Sequence, residues 1–554
     1  MTQLGNTETY AVKLAWKNTV FTADPEIVKE MLTTDHANYI KGKSLTDALQ
    51  SVLGQGVFNT NGDLWRFHRS MSRPFFTREK LRAMMPVFTN HADRALDKWL
   101  SSSGGPTDVQ DLASKFTLDA ATEFLFGSCV HSLEEDLPTP WNVPSQVPTE
   151  KPGMTPPSPA SAAAESLLPT NTRNVTNTGT RAFPTAFTSA LQTLAARLRS
   201  GALWPLLEIT KDSTRRDVNV IRDFVRSIVQ RALERREERE RAATGDATTP
   251  TTATASEDTG TTLLDHLVTV SDDTDLIQDE LINILIAGRD TTASCITFAL
   301  YLLTQHPSVL SKLSAEVHGV LGESHNNEEP DLDTLRQMPY LRAIINETLR
   351  LFPSVPMNVR DSVAERVITS SDGTRYYLPA GTGITYSQLH IHRSAKYWGP
   401  TASEFSPERF IAGGDGRYEA YYARTPFVFM PFNAGPRSCL GQQLAYAEVG
   451  VFLCRLVQRL RAKQGVGREH ISLDQEAIPP ACRVPSSWVE PEEKRVVEAG
   501  GLPLHVEEKA GAGAGSGSLP PYTSSGVSPR RRIEKVWPKS HLTMFVDGGV
   551  WVRV

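Results

Sequence analysis

Hydrophobic residues recur at helical spacing along much of the chain. One segment places Ile221, Phe224, Val225 and Ile228 at positions i, i+3, i+4 and i+7, which gives an α-helix one apolar face. A longer helix is predicted from about Asp275 to Gln305. An apolar helix face must pack against another element, so the pattern predicts a mainly α-helical protein.

Patterns typical of β-strands are few and lie toward the two ends of the chain. They combine β-branched and aromatic residues, and in the last one Asp547 and Gly548 predict a hairpin turn. The segments are TYAVKLAW, NTVFT, RYYLPAGTGITYSQ and SHLTMFVDGGVWVRV. The sequence therefore predicts a small β-sheet beside a helical body.

Three stretches interrupt this pattern and predict loops or linkers without a packed core. The stretch at about 137–180 is rich in Pro, Ser and Thr, and that at 242–262 is rich in Thr and Ala. The third, at 484–529, contains GAGAGSGS.

Composition narrows the class of protein. With 40% hydrophobic and 22% charged residues, the chain of 554 residues can bury a sizeable core. A net charge of -5 indicates no nucleic-acid partner. The five cysteines form no CxxC pair, which argues against both a zinc site and a disulfide framework. No run of 18 apolar residues and no signal peptide is present, so we expect a chain without a membrane anchor.

The segment FNAGPRSCLG, which precedes the helical stretch QQLAYAEVGVFLCRLVQRL, suggests a metal-binding thiolate. Cys439 precedes the start of this predicted helix, where unpaired N–H groups and the helix dipole favour an anion. Gly435 permits a tight turn, Gly441 permits close approach to a flat ligand, and Arg437 can pair with an acidic group. Alone, Cys439 would more often be a buried structural cysteine, but the ten-residue pattern beginning at Phe432 is specific.

This segment resembles the haem-binding loop of the cytochrome P-450 family. The resemblance implies a mainly α cytochrome P-450 fold, with a helical haem-binding domain and a small β-sheet subdomain. It also implies haem b with Cys439 as axial iron ligand and Arg437 at a propionate. Because motifs on both sides of every interruption would serve one haem, we expect one domain over residues 1–554 with three insertions.

The predicted central helix contains AGRDTT, which resembles the oxygen-activating motif of that family. By this resemblance, Gly288 opens the helix beside the haem, Thr291 hydrogen-bonds the oxygen being activated, and Asp290 relays protons. The alternative is a polar notch in which the threonine bonds back to the carbonyl four residues earlier.

Other motifs agree with the resemblance. Glu347 and Arg350 in NETLR resemble the E-x-x-R pair of the family. Arg409 in SPERF resembles the arginine that completes this group, a buried structural cluster that fixes the thiolate loop. Ordinary helix packing is the alternative explanation for the W-x-x-x-R pair in WRFHR. The resemblance implies that these side chains bind haem propionates: Trp65, Arg69 and Arg360.

The resemblance implies a monooxygenase that uses O2 and receives electrons from an NADPH-dependent flavoprotein reductase. Segments such as ATEFLFG and AGRDTTA are similar to fungal alkane and fatty-acid hydroxylases, which implies an apolar small-molecule substrate. The alternatives are an aromatic or terpenoid hydroxylase, a peroxide-using haem-thiolate enzyme, and a truncated haem-binding protein. The positions expected to face the substrate are Ile284, Ala287, Val355, Pro356, Met357 and Leu542.

The resemblance also implies a place at the cytosolic face of the endoplasmic reticulum membrane. Met1 lies only a few residues before the first predicted strand, so the expected N-terminal anchor is missing. We therefore expect peripheral membrane contact or a cytosolic protein.

Overall fold

The computed structural model describes residues 8–14, 17–101, 105–143, 182–243, 262–322, 328–411, 426–484 and 534–554. Most of each predicted insertion, namely 144–180, 244–261 and 485–529, lies outside these described residues.

Helices form most of the described structure. Their bounds are α1 Pro25–Lys29, α2 Lys43–Leu53, α3 Gly62–Ser72, α4 Arg78–Leu100, α5 Val109–Phe126, α6 Ala182–Ser200, α7 Trp204–Leu207, α8 Arg215–Ala243, α9 Leu263–Val270, α10 Thr274–Gln305, α11 Pro307–Leu321, α12 Leu332–Arg336, α13 Pro339–Leu351, α14 Gln388–His392, α15 Ala395–Trp398 and α16 Gln442–Gln464. Among the described residues, no helix is both long and apolar enough to cross a membrane.

The strands are short. They are β1 Thr9–Leu14, β2 Lys17–Thr22, β3 Tyr39–Ile40, β4 Thr107–Asp108, β5 Asn358–Ser362, β6 Arg366–Thr369, β7 Arg375–Leu378, β8 Gly383–Tyr386, β9 Ser472–Leu473, β10 Pro538–Ser540, β11 Met544–Val546 and β12 Trp551–Arg553. The largest sheet has the order β1-β2-β8-β5-β3, in which only β2 and β8 run parallel. The predicted fold class, helical with a small β-sheet part, is confirmed.

The last predicted hairpin is placed differently. Strand β10 pairs with β11 across a turn at His541–Thr543, whereas β12 pairs with the distant strands β4 and β9. The prediction of a hairpin turn at Asp547 and Gly548 is therefore wrong, although Gly548 does occupy a turn with φ of +79°.

The described residues have two apolar cores. The larger core joins α4, α5, α8, α10, α13 and α16, and it includes Ile221 and Val225 from the predicted amphipathic face. The smaller core lies against the five-stranded sheet and contains Val28, Trp398 and Phe429. Segments on both sides of every predicted insertion contribute to the larger core.

The central helix α10 is the main support of the site. Asp273 caps its N-terminus by accepting from the Asp275 and Leu276 amides at 3.0 and 3.1 Å. Its 32 residues span about 48 Å at 1.5 Å per residue, and α5, α8, α13 and α16 pack against it. The helix therefore links the elements that carry the predicted motifs.

A row of buried polar side chains on α10 holds the loop between α2 and α3. Asp279 accepts from the Gln55 amide at 2.8 Å, and Glu280 accepts from the Val57 amide at 3.1 Å. In the same row, Asn283 accepts from the Phe58 amide at 3.0 Å. These bonds fix the loop that leads into α3, the helix with the W-x-x-x-R pair.

Candidate active site

The loop from Phe432 to Gly441 presents Cys439 just before α16. The Cys439 amide donates to the Phe432 carbonyl at 2.9 Å, which closes the loop on itself. The backbone N–H of Gly441 donates to the Cys439 side chain. Because α16 begins at Gln442, the thiol lies at the positive end of this helix, as predicted.

Glycine is required at position 435. Its φ is +68°, and an added Cβ would lie 1.9 Å from the backbone carbonyl oxygen of Leu32. At Gly441 a Cβ would meet the Phe76 ring at 3.7 Å and the Cys439 sulfur at 3.9 Å, which are ordinary contacts. The close approach of Gly441 to a flat ligand therefore stays a prediction.

Cys439 differs from the other cysteines because its side chain is accessible to solvent although protein groups, including Gly441 and Arg69, lie close to its sulfur. Burial raises the pKa of its thiol, whereas the Gly441 N–H and the positive charge of Arg69 lower that pKa. Cys439 is the only exposed cysteine among the described residues. Cys454 is instead buried within α16, where its sulfur lies 3.5 Å from that of Met338.

Arg437 lies in a polar pocket that provides hydrogen-bond acceptors for only part of its guanidinium group. Its Nη2 donates to the Thr60 carbonyl at 3.0 Å and to Asn61 Oδ1 at 3.1 Å, and its guanidinium lies 4.3 Å from the Trp65 ring centroid. Its Nη1 is buried without a hydrogen-bond partner. Burial and the charges of Arg360 and Arg69 lower the pKa of Arg437 to about 9.

The predicted propionate ligands form one cluster of cations. The Arg69 guanidinium lies 5.8 Å from the Trp65 ring, and Arg360 on β5 is 5% exposed. Lys41, which the sequence analysis missed, joins them: burial and the charges of Arg360 and Arg437 lower its pKa far below the usual value. None of these cations has a carboxylate partner in the ion pairs among the described residues.

This cluster fits a haem. Mutually repelling cations around an unpaired guanidinium nitrogen need buried anions, and a haem offers two propionate carboxylates. A cavity of about 640 Å³ adjoins the cluster and the thiolate loop. The residues that line it are Trp65, Arg66, Arg69, Ser70, Arg73, Pro74, Phe76, Thr77 and Leu440.

The AGRDTT motif lies on an unbroken part of α10. The helix is α-helical from Thr274 to Gln305, so the predicted opening at Gly288 is wrong for this structure. The Thr291 hydroxyl donates to the Ala287 carbonyl at 2.6 Å, which is the back-bonding arrangement given above as the alternative. An added Cβ at Gly288 would contact nothing within 4 Å, so one side of the helix is open at this point.

Asp290 has a partner that sequence analysis missed. Arg289 Nη1 donates to Asp290 Oδ1 at 2.8 Å, and Arg289 Nη2 donates to Thr188 on α6 at 3.3 Å. Burial raises the pKa of Asp290, whereas the charge and hydrogen bond of Arg289 lower it. The sequence shows that an arginine precedes Asp290, but it does not show that the Arg289 side chain contacts this aspartate.

Ser354 brings three predicted substrate segments together. Its hydroxyl donates to the Thr291 carbonyl at 2.8 Å, and its own carbonyl accepts from the Met544 amide at 2.9 Å. The segment 355–357 follows it directly, and Leu542 lies in the turn before β11. Of the six predicted substrate positions, Ile284 and Pro356 are buried, and Met357 is 51% exposed. None of the six lines the 640 Å³ cavity.

Glu448 on α16 is a second residue that sequence analysis missed. Its side chain hydrogen-bonds Thr292, the neighbour of Thr291, and burial raises its pKa to about 8. One carboxyl oxygen has no partner. A carboxyl group whose pKa lies well above its usual value thus joins the helix after the thiolate loop to the helix with the AGRDTT motif.

Glu347, Arg350 and Arg409 form a buried cluster. Arg350 makes two bonds to Glu347, at 2.6 and 2.7 Å, and Arg409 Nε lies 3.2 Å from the same carboxylate. Arg350 also donates to the carbonyls of His392 and Ala402 at 2.8 and 2.6 Å. The cluster therefore ties α13 to the chain that leads toward the thiolate loop.

Comparison with known proteins identifies similar chains. The family model "Cytochrome P450" matches residues 2–479. Cytochrome P-450 52A3-B of Candida maltosa is 33% identical over 83% of this chain and 77% of its own length. Cytochrome P-450 52A6 of Candida tropicalis is 32% identical over 79% and 74%, respectively. Cytochrome P-450 monooxygenase himC of Aspergillus japonicus is 32% identical over 81% and 70%.

Proposed function

The chain belongs to the cytochrome P-450 family and is a haem-dependent monooxygenase, and we propose that it hydroxylates long aliphatic chains such as fatty acids or alkanes. The observation that carries this proposal is that Ser354 joins three segments with predicted substrate positions. Its hydroxyl binds the Thr291 carbonyl on α10, and its carbonyl binds the Met544 amide after the terminal turn. Ile284, Ala287 and Val355 belong to these segments and offer no charged group to a substrate. The similarity to the 52A proteins of yeasts supports the same substrate class.

We assign the haem contacts from the geometry of the chain. Cys439 would supply the thiolate that binds the haem iron, and Gly441 donates to its sulfur. Arg437, Arg360 and Arg69 would hold the propionates, and the Trp65 ring lies 5.8 Å from the Arg69 guanidinium and 4.3 Å from that of Arg437. When bound, the thiolate-ligated haem supplies the O–O cleavage chemistry. Phe432 supports the loop by packing 5.1 Å from the Tyr446 ring.

The proposed reaction converts RH, O2, two electrons and two protons into ROH and water. Enzymes of this family take their electrons from a redox partner, and we assign that role to an NADPH-dependent flavoprotein reductase. We propose that Asp290 and Thr291 handle the protons on the α10 side. Thr291 lies one turn after Gly288, where one side of the helix is open. We further propose one catalytic domain and a position at the cytosolic face of the endoplasmic reticulum.

A homologous series of fatty acids and alkanes tests the substrate class. Burial of one methylene contributes about 0.8 kcal/mol, so affinity should rise about fourfold per added carbon until the pocket is filled. The spin-state change of the haem reports binding, and reconstitution with a reductase reports hydroxylated product. Tight binding of fused-ring compounds without dependence on chain length would instead indicate an aromatic or terpenoid hydroxylase.

The ferrous-carbonyl spectrum tests the iron ligand. Cys439→Ala should lose the red-shifted band of thiolate ligation. Cys454→Ala and Cys482→Ser serve as controls and should retain this band, because both cysteines lie outside the thiolate loop. If a control variant loses the band and Cys439→Ala keeps it, the assignment of the site is wrong.

A further inference from the structure

A second group of metal-ligating side chains lies between α4 and the end of α5. One ligand atom each from His91, Asp119 and Cys129 lies within 4.8 Å of the other two. His91 belongs to α4, Asp119 to α5, and Cys129 to the loop that follows α5. His91 and Asp119 are fully buried. None of these residues takes part in the haem site.

His91 is the side chain that points to a bound ion. Its Nε2 lies 2.7 Å from the Glu123 carboxylate, whereas its Nδ1 is buried without a hydrogen-bond partner. Metal-binding histidines regularly use one nitrogen for the metal and donate the other N–H to a carboxylate. In His91, the contact of Nε2 with Glu123 matches the bond to a carboxylate. The unpartnered Nδ1 is the nitrogen that remains for a metal.

The other two ligands are held by the backbone around them. Asp119 Oδ1 accepts from the Ser132 amide at 2.6 Å and from the Ser132 hydroxyl at 2.7 Å, and Oδ2 accepts from the Leu133 amide at 3.0 Å, so the loop after α5 is fastened to this carboxylate. The Cys129 sulfur accepts from the His131 amide at 3.2 Å. A carboxylate has about four lone-pair positions, so these bonds leave Asp119 one position, on Oδ2, for a metal.

We propose that His91, Asp119 and Cys129 bind a zinc ion, with Glu123 orienting the histidine. Zinc accepts nitrogen, sulfur and oxygen ligands at about 2.0–2.3 Å, so side-chain movements of about 1 Å would complete the site. Zinc binding releases the proton of the Cys129 thiol to solvent, and the resulting thiolate and the Asp119 carboxylate balance the charge of the ion. Water takes the fourth position. The absence of a CxxC pair argued against zinc, but these ligands are brought together by folding from three separate segments.

The test uses the full-length holoprotein, freed of affinity tags and chelator-treated, with zinc alone as the probe. We expect one zinc per chain in addition to the haem iron, and a zinc-edge X-ray absorption spectrum that shows one sulfur ligand at about 2.3 Å. Cys129→Ser should remove the sulfur signal and weaken zinc binding at least tenfold. Glu123→Gln should weaken binding by about 10–100-fold.

Cys482→Ser is the matched control, because Cys482 is also a partly buried cysteine but lies in a distant loop. It should leave zinc content and affinity unchanged. An intact ferrous-carbonyl spectrum shows that each variant is folded, and this readout is independent of any substrate. The proposal is overturned if the holoprotein binds no zinc, or if Cys129→Ser binds it with unchanged affinity and sulfur signal.

Discussion

Arg289 and Asp290 form an ion pair at 2.8 Å although they are consecutive residues of one helix. Neighbouring residues of an α-helix do not normally face each other, so the long Arg289 side chain must turn back along the helix surface. The same guanidinium lies 5.5 Å from the Phe187 ring on α6. Arg289 therefore lowers the pKa of Asp290 against the effect of burial and also links Asp290 to α6.

Replacing Arg289 by Gln should move the pH profile of coupled hydroxylation to higher pH. Burial raises the pKa of Asp290 and Arg289 lowers it, so removing the guanidinium raises this pKa further. Asp290 then becomes ionised only at higher pH. Product formed per O2 consumed, measured over a series of buffers from acid to alkaline pH, reports the shift. Arg226→Gln, which removes an exposed arginine paired with Asp223, should leave the profile in place.

Replacing Thr291 by Ala should uncouple O2 consumption from hydroxylation. Haem loading should persist, but product per O2 should fall about tenfold or more with release of hydrogen peroxide, because positioned proton transfer contributes about 10²–10⁴-fold. Thr297→Ala is the matched control, since Thr297 makes the same back-bond to Ala293 at 2.7 Å on the same helix. Equal coupling in both variants would contradict a special role for Thr291.

Replacing Arg409 by Ala should abolish haem loading rather than adjust the reaction. The change leaves Glu347 short of one cation in a fully buried cluster, at a cost of about 3–5 kcal/mol. Haem content and urea unfolding measure the effect. Lys312→Ala breaks the neighbouring exposed pair with Glu408, which should cost no more than about 1 kcal/mol and leave haem content normal.

Replacing Glu448 by Gln should remove a dependence of stability on pH. The pKa of Glu448 is raised from 4.5 to about 8 by burial, so the folded protein keeps a proton that the unfolded chain has lost between these values. The wild type therefore loses stability relative to the Glu448→Gln variant as the pH rises through this range, by about 1.4 kcal/mol per pH unit at most.

Urea unfolding of both proteins at a pH near the lower end of this range and at another near its upper end measures the difference in slope. Glu238→Gln on the exposed side of α8 is the control, and its free energy of unfolding should depend on pH as that of the wild type does. Parallel behaviour of wild type and Glu448→Gln would mean that Glu448 is ionised in the folded protein.

Motifs that lie within one short segment could be predicted from the sequence. The thiolate loop is contiguous, and Glu347 and Arg350 lie at i and i+3, so helix geometry alone brings them together. The partners of Thr291 could not be predicted in the same way. Ser354 lies 63 residues away along the chain, and its contact depends on how α10 and the segment after α13 pack.

Two predictions failed because a local signal did not decide the backbone arrangement. The α-helical backbone of α10 continues through Gly288, so the glycine did not open the helix. At the C-terminus, β12 pairs with β4 and β9 from remote parts of the chain, so an Asp-Gly turn did not make a hairpin. Local patterns do not reveal such remote partners.

The bonds from Asp279, Glu280 and Asn283 to the loop at 55–58 limit how this enzyme can change during evolution. Each side chain serves one amide in a fixed order, so adding or deleting one residue in the loop would break these bonds and deprive the buried Asn283 Oδ1 of the Phe58 amide. The length of the loop and the polar face of α10 can therefore change only together.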